Sequence, residues 1–213
     1  MNKGVVGILD YGVGNLKSVY NAVLQVGGEA IISHDTQILV RCDRIIVPGV
    51  GAFSHAMNQL KKFELEPFLD QYVQSGKPVL GICLGMQMFT QKSYEFGETN
   101  GLGYVPGEIR LLKKNSESQT LRLPHVGWQT LNIIDDNVNI LCNGIDQNSK
   151  FYFIHSFALQ DINKSVCCLS LYEGINTSFP NYGAGSYNSG TNQNNSAGVN
   201  VGHGKVIITF LSN

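Results

Sequence analysis

Three short apolar runs each close on a glycine-bearing turn, and this repetition constrains the fold more than anything else in the chain. Val5-Val6-Gly7-Ile8-Leu9 enters Asp10-Tyr11-Gly12-Val13-Gly14-Asn15, Arg44-Ile45-Ile46-Val47 enters Pro48-Gly49-Val50-Gly51-Ala52-Phe53, and Val79-Leu80-Gly81-Ile82 enters Cys83-Leu84-Gly85. Runs that are apolar at consecutive positions read as strands buried on both faces. Between them lies helical spacing. Leu16, Val19, Tyr20, Val23 and Leu24 mark one helix face, stopped by Gly27-Gly28, and Phe68, Leu69, Tyr72 and Val73 mark another between Pro67 and Gly76. With Ala30-Ile31-Ile32 as a further strand, and a helix continuing from the third turn through Met86, Met88 and Phe89, the order is β-α-β-β-α-β-α. This predicts an α/β fold with a doubly wound, mostly parallel sheet.

From about residue 103 the segments become shorter and richer in strand formers: 108–112, 129–134, 151–154 and 166–171. They predict a smaller mixed or antiparallel extension of the same sheet. No linker divides the chain, so residues 1–213 are expected to form a single domain. Residues 174–204 are atypical: they hold no Asp, Glu, Lys or Arg and are dominated by Asn, Gly and Ser. By composition alone such a stretch reads as a flexible loop.

Charged residues make up 15% of the chain against a usual fraction of about 25%, and the net charge is −1. That balance gives no electrostatic case for nucleic acid or an anionic membrane as partner. No apolar stretch reaches the length of a membrane span and no signal-like core opens the chain. The five cysteines form no CxxC pair and their odd number leaves at least one unpaired, which fits a reducing, cytoplasmic setting. No histidine or cysteine spacing predicts a metal site, and no cofactor is implied.

Gly81-Ile82-Cys83-Leu84-Gly85 carries the clearest chemistry. Glycines on both sides of Cys83 permit a sharp strand-to-helix bend that exposes the sulfur, and the N–H groups at the start of a helix favour thiolate. A buried structural cysteine is the plainer alternative. Val50 and Gly51 offer backbone N–H groups suited to an oxyanion hole, to which the Leu84 N–H, just after the nucleophile, adds another. A type II turn would explain those glycines too. Gly12-Val13-Gly14 lacks the third glycine of a dinucleotide fingerprint, with Lys17 in its place, so it reads as a turn or a contact surface from which Asp10, Tyr11 and Asn15 project. A thiol also needs a base. His155, ending an apolar strand, and His125, in Pro124-His125-Val126-Gly127-Trp128, are candidates that read equally well as structural histidines.

Taken together, 10–16, 48–53, 81–87, Gly101-Leu102-Gly103, 124–128 and 151–156 resemble, in order and spacing, the class I glutamine amidotransferases, and among them the glutaminase subunits of imidazole glycerol phosphate synthase. The resemblance spans residues 4 to about 173. It implies a lone α/β amidotransferase domain that hydrolyses glutamine to glutamate and ammonia, with Cys83 attacking the side-chain amide, Val50, Gly51 and Leu84 stabilising the oxyanion, and Gln87, His155 and Ser156 holding glutamine. It further implies a heterodimer with a (β/α)8-barrel cyclase or synthase subunit that receives the ammonia for histidine biosynthesis, a hydrolase and lyase pairing, with Asp10, Asn15 and Trp128 toward that interface.

The family sets its catalytic His and Glu in a C-terminal segment whose place here is taken by Asn192-Gln193-Asn194-Asn195-Ser196-Ala197-Gly198. Asn194 cannot serve as general base and Ser196 cannot orient one. His203 is the nearby substitute, but no carboxylate stands two residues on. Three readings follow: a glutaminase impaired by the lost base, a non-catalytic pseudo-glutaminase that docks on an ammonia-using synthase, and an amidotransferase subunit for surface-sugar synthesis. A cysteine-elbow stress protein of similar topology would leave the 124–128 motif unexplained.

Overall fold

A computed structural model describes residues 4–112, 123–130, 132–133, 145–146 and 148–159, together with the backbone of strand segments at 166–172, 175–180, 183–184, 187–188 and 204–205. The chain opens β1 (Val5–Leu9), α1 (Leu16–Gln25), β2 (Glu29–Ser33), α2 (Thr36–Leu39), β3 (Arg44–Gly49), α3 (Phe53–Lys62), α4 (Glu66–Gln74), β4 (Val79–Cys83) and α5 (Leu84–Gln87). It continues with β5 (Thr90–Ser93), β6 (Thr99–Asn100), β7 (Val105–Leu111), β8 (His125–Thr130), β9 (Asn132–Ile133), β10 (Lys150–His155), β11 (Phe157–Leu159), β12 (Val166–Tyr172), β13 (Ile175–Pro180) and β14 (Gly183–Ala184).

The first sheet has the order β14-β4-β3-β1-β2, and every pairing in it is parallel. Alternation along each strand divides the core in two, because successive side chains point to opposite faces. Val6, Ile8, Ile46, Leu80 and Ile82 meet Val19 and Val23 of α1 on one face. Leu9, Ile45, Val47 and Val79 meet Phe53, Met57, Leu60 and Leu69 of α3 and α4 on the other. Helices on opposite faces follow from a chain that winds from β1 outward to β2 and then returns through β3 to β4. The reversal places a crevice at the carboxyl ends of β1 and β3, where ligands collect in open α/β sheets.

Both long predicted helices are present. Asn15 caps α1, its side chain accepting from the Ser18 N–H at 3.3 Å, and Gly27 follows with φ +74°. Leu24, expected on the buried face, is 45% exposed, and Ala22 takes that role. Pro67 sits in the first turn of α4, where a missing N–H costs no helical hydrogen bond. Two helices were not expected, α2 and α3.

The second half supplies the expected mixed and antiparallel strands, which apart from β14 pair outside the first sheet. Its strands form a mixed sheet, β6-β5-β7-β11-β13-β12-β9, and an antiparallel ribbon of β8 and β10. The helix expected to run through Phe89 ends at Gln87 as a single turn, α5, and Thr90–Ser93 follows as a strand. The chain leaves that turn through Phe89, whose carbonyl accepts from the Val105 N–H at 2.9 Å, and this bond joins the two halves.

Candidate active site

Cys83 is the last residue of β4 and has φ +55° and ψ −115°. A non-glycine residue there is strained and is held only because its surroundings over-determine it. The surroundings are backbone. A Cβ at Gly81 would come within 2.5 Å of the Met86 backbone, one at Gly49 within 2.5 Å of the Gly85 nitrogen, and one at Gly85 would strike the Val47 carbonyl. Three glycines therefore let α5 fold back onto the ends of β3 and β4.

The parallel register sets Gly49 beside Cys83. Directly after it, Val50 is 55% exposed, and Gly51 has φ +90° with open space on its Cβ side. The thiol and the segment expected to hold the oxyanion thus emerge side by side. Tyr11, expected to project at this edge, is fully buried instead, its hydroxyl donating to the Pro48 carbonyl at 2.6 Å. Burial, and behind it the neighbouring Cys83, holds its ionisation above the usual tyrosine range. Glu95 is a residue the sequence reading missed: its carboxylate accepts from the Phe53 N–H at 2.8 Å, at the start of α3, where no side chain of the preceding Ala52 can do so. Nothing local in the sequence pairs residues this far apart.

The electrostatics of Cys83 differ from the expectation. The residue keeps an exposed surface, yet protein crowds its sulfur closely enough that burial pushes the thiol up, while the adjacent Leu84 N–H pulls the other way. A four-residue helix adds little dipole to offset that burial. Thiolate is disfavoured at this elbow, not favoured.

Gln87, at the end of α5, donates from Nε2 to the Phe157 carbonyl at 3.1 Å. That bond brings the turn between β10 and β11, with His155 and Ser156, to the elbow. The Ser156 carbonyl accepts from the Leu112 N–H at 2.9 Å. His155 approaches the same Phe157 carbonyl through Nδ1 at 3.1 Å, and its Nε2 lies 3.1 Å from Nδ1 of His125. The two histidines face each other across the register of β8 and β10. His125 is fully buried and stacked on Phe153 with ring centroids 5.2 Å apart. Burial first, then His155, pushes it down to about 4, and burial lowers His155 as well. Among the described residues no histidine bonds the Cys83 sulfur, so neither candidate base stands at the thiol.

The expected interface residues lie on two elements. Asp10 accepts from the Gly12 N–H at 3.1 Å and shapes the turn that Asn15 ends by capping α1. Trp128, half-buried on β8, packs against Tyr152 of β10 with ring centroids 5.4 Å apart. Residues 192–198, expected to take the place of the family's base and carboxylate, and His203 lie outside the described residues. Among the described residues no cluster is placed to hold a metal ion, and no helix is long and apolar enough to cross a membrane.

Comparison with known proteins converges on one family. The family Glutamine amidotransferase class-I matches residues 7–179. Imidazole glycerol phosphate synthase subunit HisH of Lactococcus lactis is 42% identical over 150 residues, covering 70% of this chain and 71% of the relative. The protein of the same name from Wolinella succinogenes is 41% identical over 153 residues, covering 72% and 74%. Among solved structures, a glutamine amidotransferase superposes with a TM-score of 0.60 at 18% identity, covering 82% of this chain and 88% of that one. PurLQS from Thermotoga maritima gives 0.56 at 20% identity, covering 80% and 76%. At such identities the structural likeness speaks for the fold alone.

Proposed function

The chain belongs to the class I glutamine amidotransferase family, among the relatives of imidazole glycerol phosphate synthase subunit HisH, and from that premise we propose that it is the glutaminase subunit of such a synthase in histidine biosynthesis. One observation carries the reading: a thiol held at φ +55° on a glycine-walled elbow at the end of β4, with the Gly49–Gly51 segment beside it. In the reaction the Cys83 sulfur attacks the side-chain carbonyl carbon of glutamine, and the C=O electron pair moves onto oxygen. N–H groups of Val50, Gly51 and Leu84 receive that charge. Collapse expels the amide nitrogen, which takes up the proton the thiol has lost and leaves as ammonia, and water then cleaves the thioester to glutamate and restores the thiol. Gln87, His155 and Ser156 hold the amino acid. Ammonia passes to a (β/α)8-barrel partner in a heterodimer docked over Asp10, Asn15 and Trp128, this chain contributing one domain.

The weak point is the proton on Cys83. By the resemblance, the residues Asn194 and Ser196 take the places of the family's base and carboxylate, and general-base catalysis is worth about 10²- to 10⁴-fold. We therefore expect glutamine hydrolysis to be impaired. The same substitution favours a second reading, a non-catalytic subunit that docks on a synthase using free ammonia. Glutamate release with the barrel partner present separates them: slow release abolished by Cys83→Ala supports the impaired enzyme. Normal turnover that Cys83→Ala abolishes would overturn the impairment. Failure of a glutamine-analogue electrophile to label Cys83, with partner binding intact, would favour the docking module.

A further inference from the structure

Gln87, Phe157, His155 and His125 form a continuous hydrogen-bonded path from the elbow into the interior. Gln87 Nε2 and His155 Nδ1 both reach the Phe157 carbonyl at 3.1 Å, and His155 Nε2 meets His125 Nδ1 at 3.1 Å. Chemistry fixes every proton along it. A carbonyl only accepts, so His155 Nδ1 bears hydrogen, and a neutral imidazole has one N–H, so His155 Nε2 accepts. His125 must then donate from Nδ1. Burial keeps both rings neutral over the physiological range, as this assignment requires. With the Gln87 nitrogen turned to Phe157, its carboxamide oxygen faces the other way, as an acceptor.

We propose that His125 is a positioning residue: its Nδ1–H locks His155 in one tautomer, which holds the Phe157 carbonyl and thereby sets which end of the Gln87 amide the pocket presents. The proposal rests on the reading that Gln87 contacts glutamine. It accounts for a fully buried imidazole, His125, bonded to the half-buried His155, where an aromatic hydrocarbon would pack as well and carry no desolvation cost.

The test uses the full chain, 15N-labelled and without ligand. Nitrogen-15 shifts should show both His125 and His155 as Nδ1–H tautomers, the minor form of free histidine, and the Gln87 carboxamide should give one resolved pair of N–H signals. His125→Phe keeps the stacking on Phe153 but removes the donor. It should broaden or shift the Gln87 signals and weaken glutamine binding about three- to tenfold by calorimetry. His125→Asn, which retains a donor near the Nδ1 position, should restore them. Finding His155 as the Nε2–H tautomer in the unmodified protein overturns the proposal without any variant. So do unchanged Gln87 signals in folded His125→Phe. Correct tautomers and responsive Gln87 signals in a protein that binds no glutamine would support the path and overturn the glutaminase reading.

Discussion

The Tyr11 hydroxyl donates to the Pro48 carbonyl at 2.6 Å and so ties the turn after β1 to the segment that carries Val50 and Gly51. Gly14 reinforces the contact, since a Cβ there would lie 3.3 Å from the Pro48 ring. Tyr11 is fully buried, so Tyr11→Phe leaves a buried carbonyl without this donor. Stability should fall by about 1–3 kcal/mol, read as a lower urea midpoint with an unchanged slope.

Glycine substitutions should divide by cause. Gly85→Ala drives a methyl into the Val47 carbonyl, and overpacking of that kind costs about 1–3 kcal/mol or more. It should also displace α5 and suppress Cys83 labelling. Gly51→Ala meets open space and bears only the penalty of φ +90°, about 1–2 kcal/mol. Thermal melts of the two variants, with thiol labelling alongside, check the order.

Alkylation of Cys83 should lag behind that of a free cysteine near neutral pH, because the attacking species is thiolate and burial raises this thiol. The rate should keep climbing with pH above the ordinary cysteine range of about 8.5. A rate profile levelling off below that value would contradict the raised thiol. Since Cys42 is buried and its thiol is also raised, labelled peptides should be identified by mass spectrometry.

The histidine pair makes stability depend on acid. His125 ionises near 6.5 when unfolded but is pushed down to about 4 in the fold. Between those values the unfolded chain binds the extra proton, so stability rises with pH. The contribution of a neutral buried His125 is therefore complete above about 6.5 and is lost as pH falls toward 4, at up to about 1.4 kcal/mol per pH unit. His155 acts in the same direction. Denaturation midpoints from pH 7 to 4 should fall steeply in the unmodified protein and less steeply in His125→Phe.

Much of the first half is legible in the chain because its signals are local. Apolar runs at β1, β3 and β4 are buried on both faces whatever their neighbours are, and Pro67, Gly27 and Gly76 act through their own backbone. Helix α3 was hidden for a local reason too. Phe53, Ala56, Met57 and Leu60 follow helical spacing, but Ala52 offers no capping side chain and Gly49–Gly51 reads as a turn. In the second half, short strands announce themselves but their partners do not, because pairing between distant segments is set by register and burial. Thus β8 and β10 left the main sheet to pair with each other.

For the site, sequence alone determined that Cys83 stands between glycines on an elbow, that Gly51 follows a strand, and that no acid or histidine occupies 192–198. Covalent order and backbone freedom suffice for those. Tertiary structure decided what the residues experience: that the Cys83 thiol is raised and not lowered, that Tyr11 points inward to Pro48, and that His125 and His155 bond each other. Desolvation and hydrogen bonding depend on which atoms surround a group. Those atoms come from segments far apart in the chain.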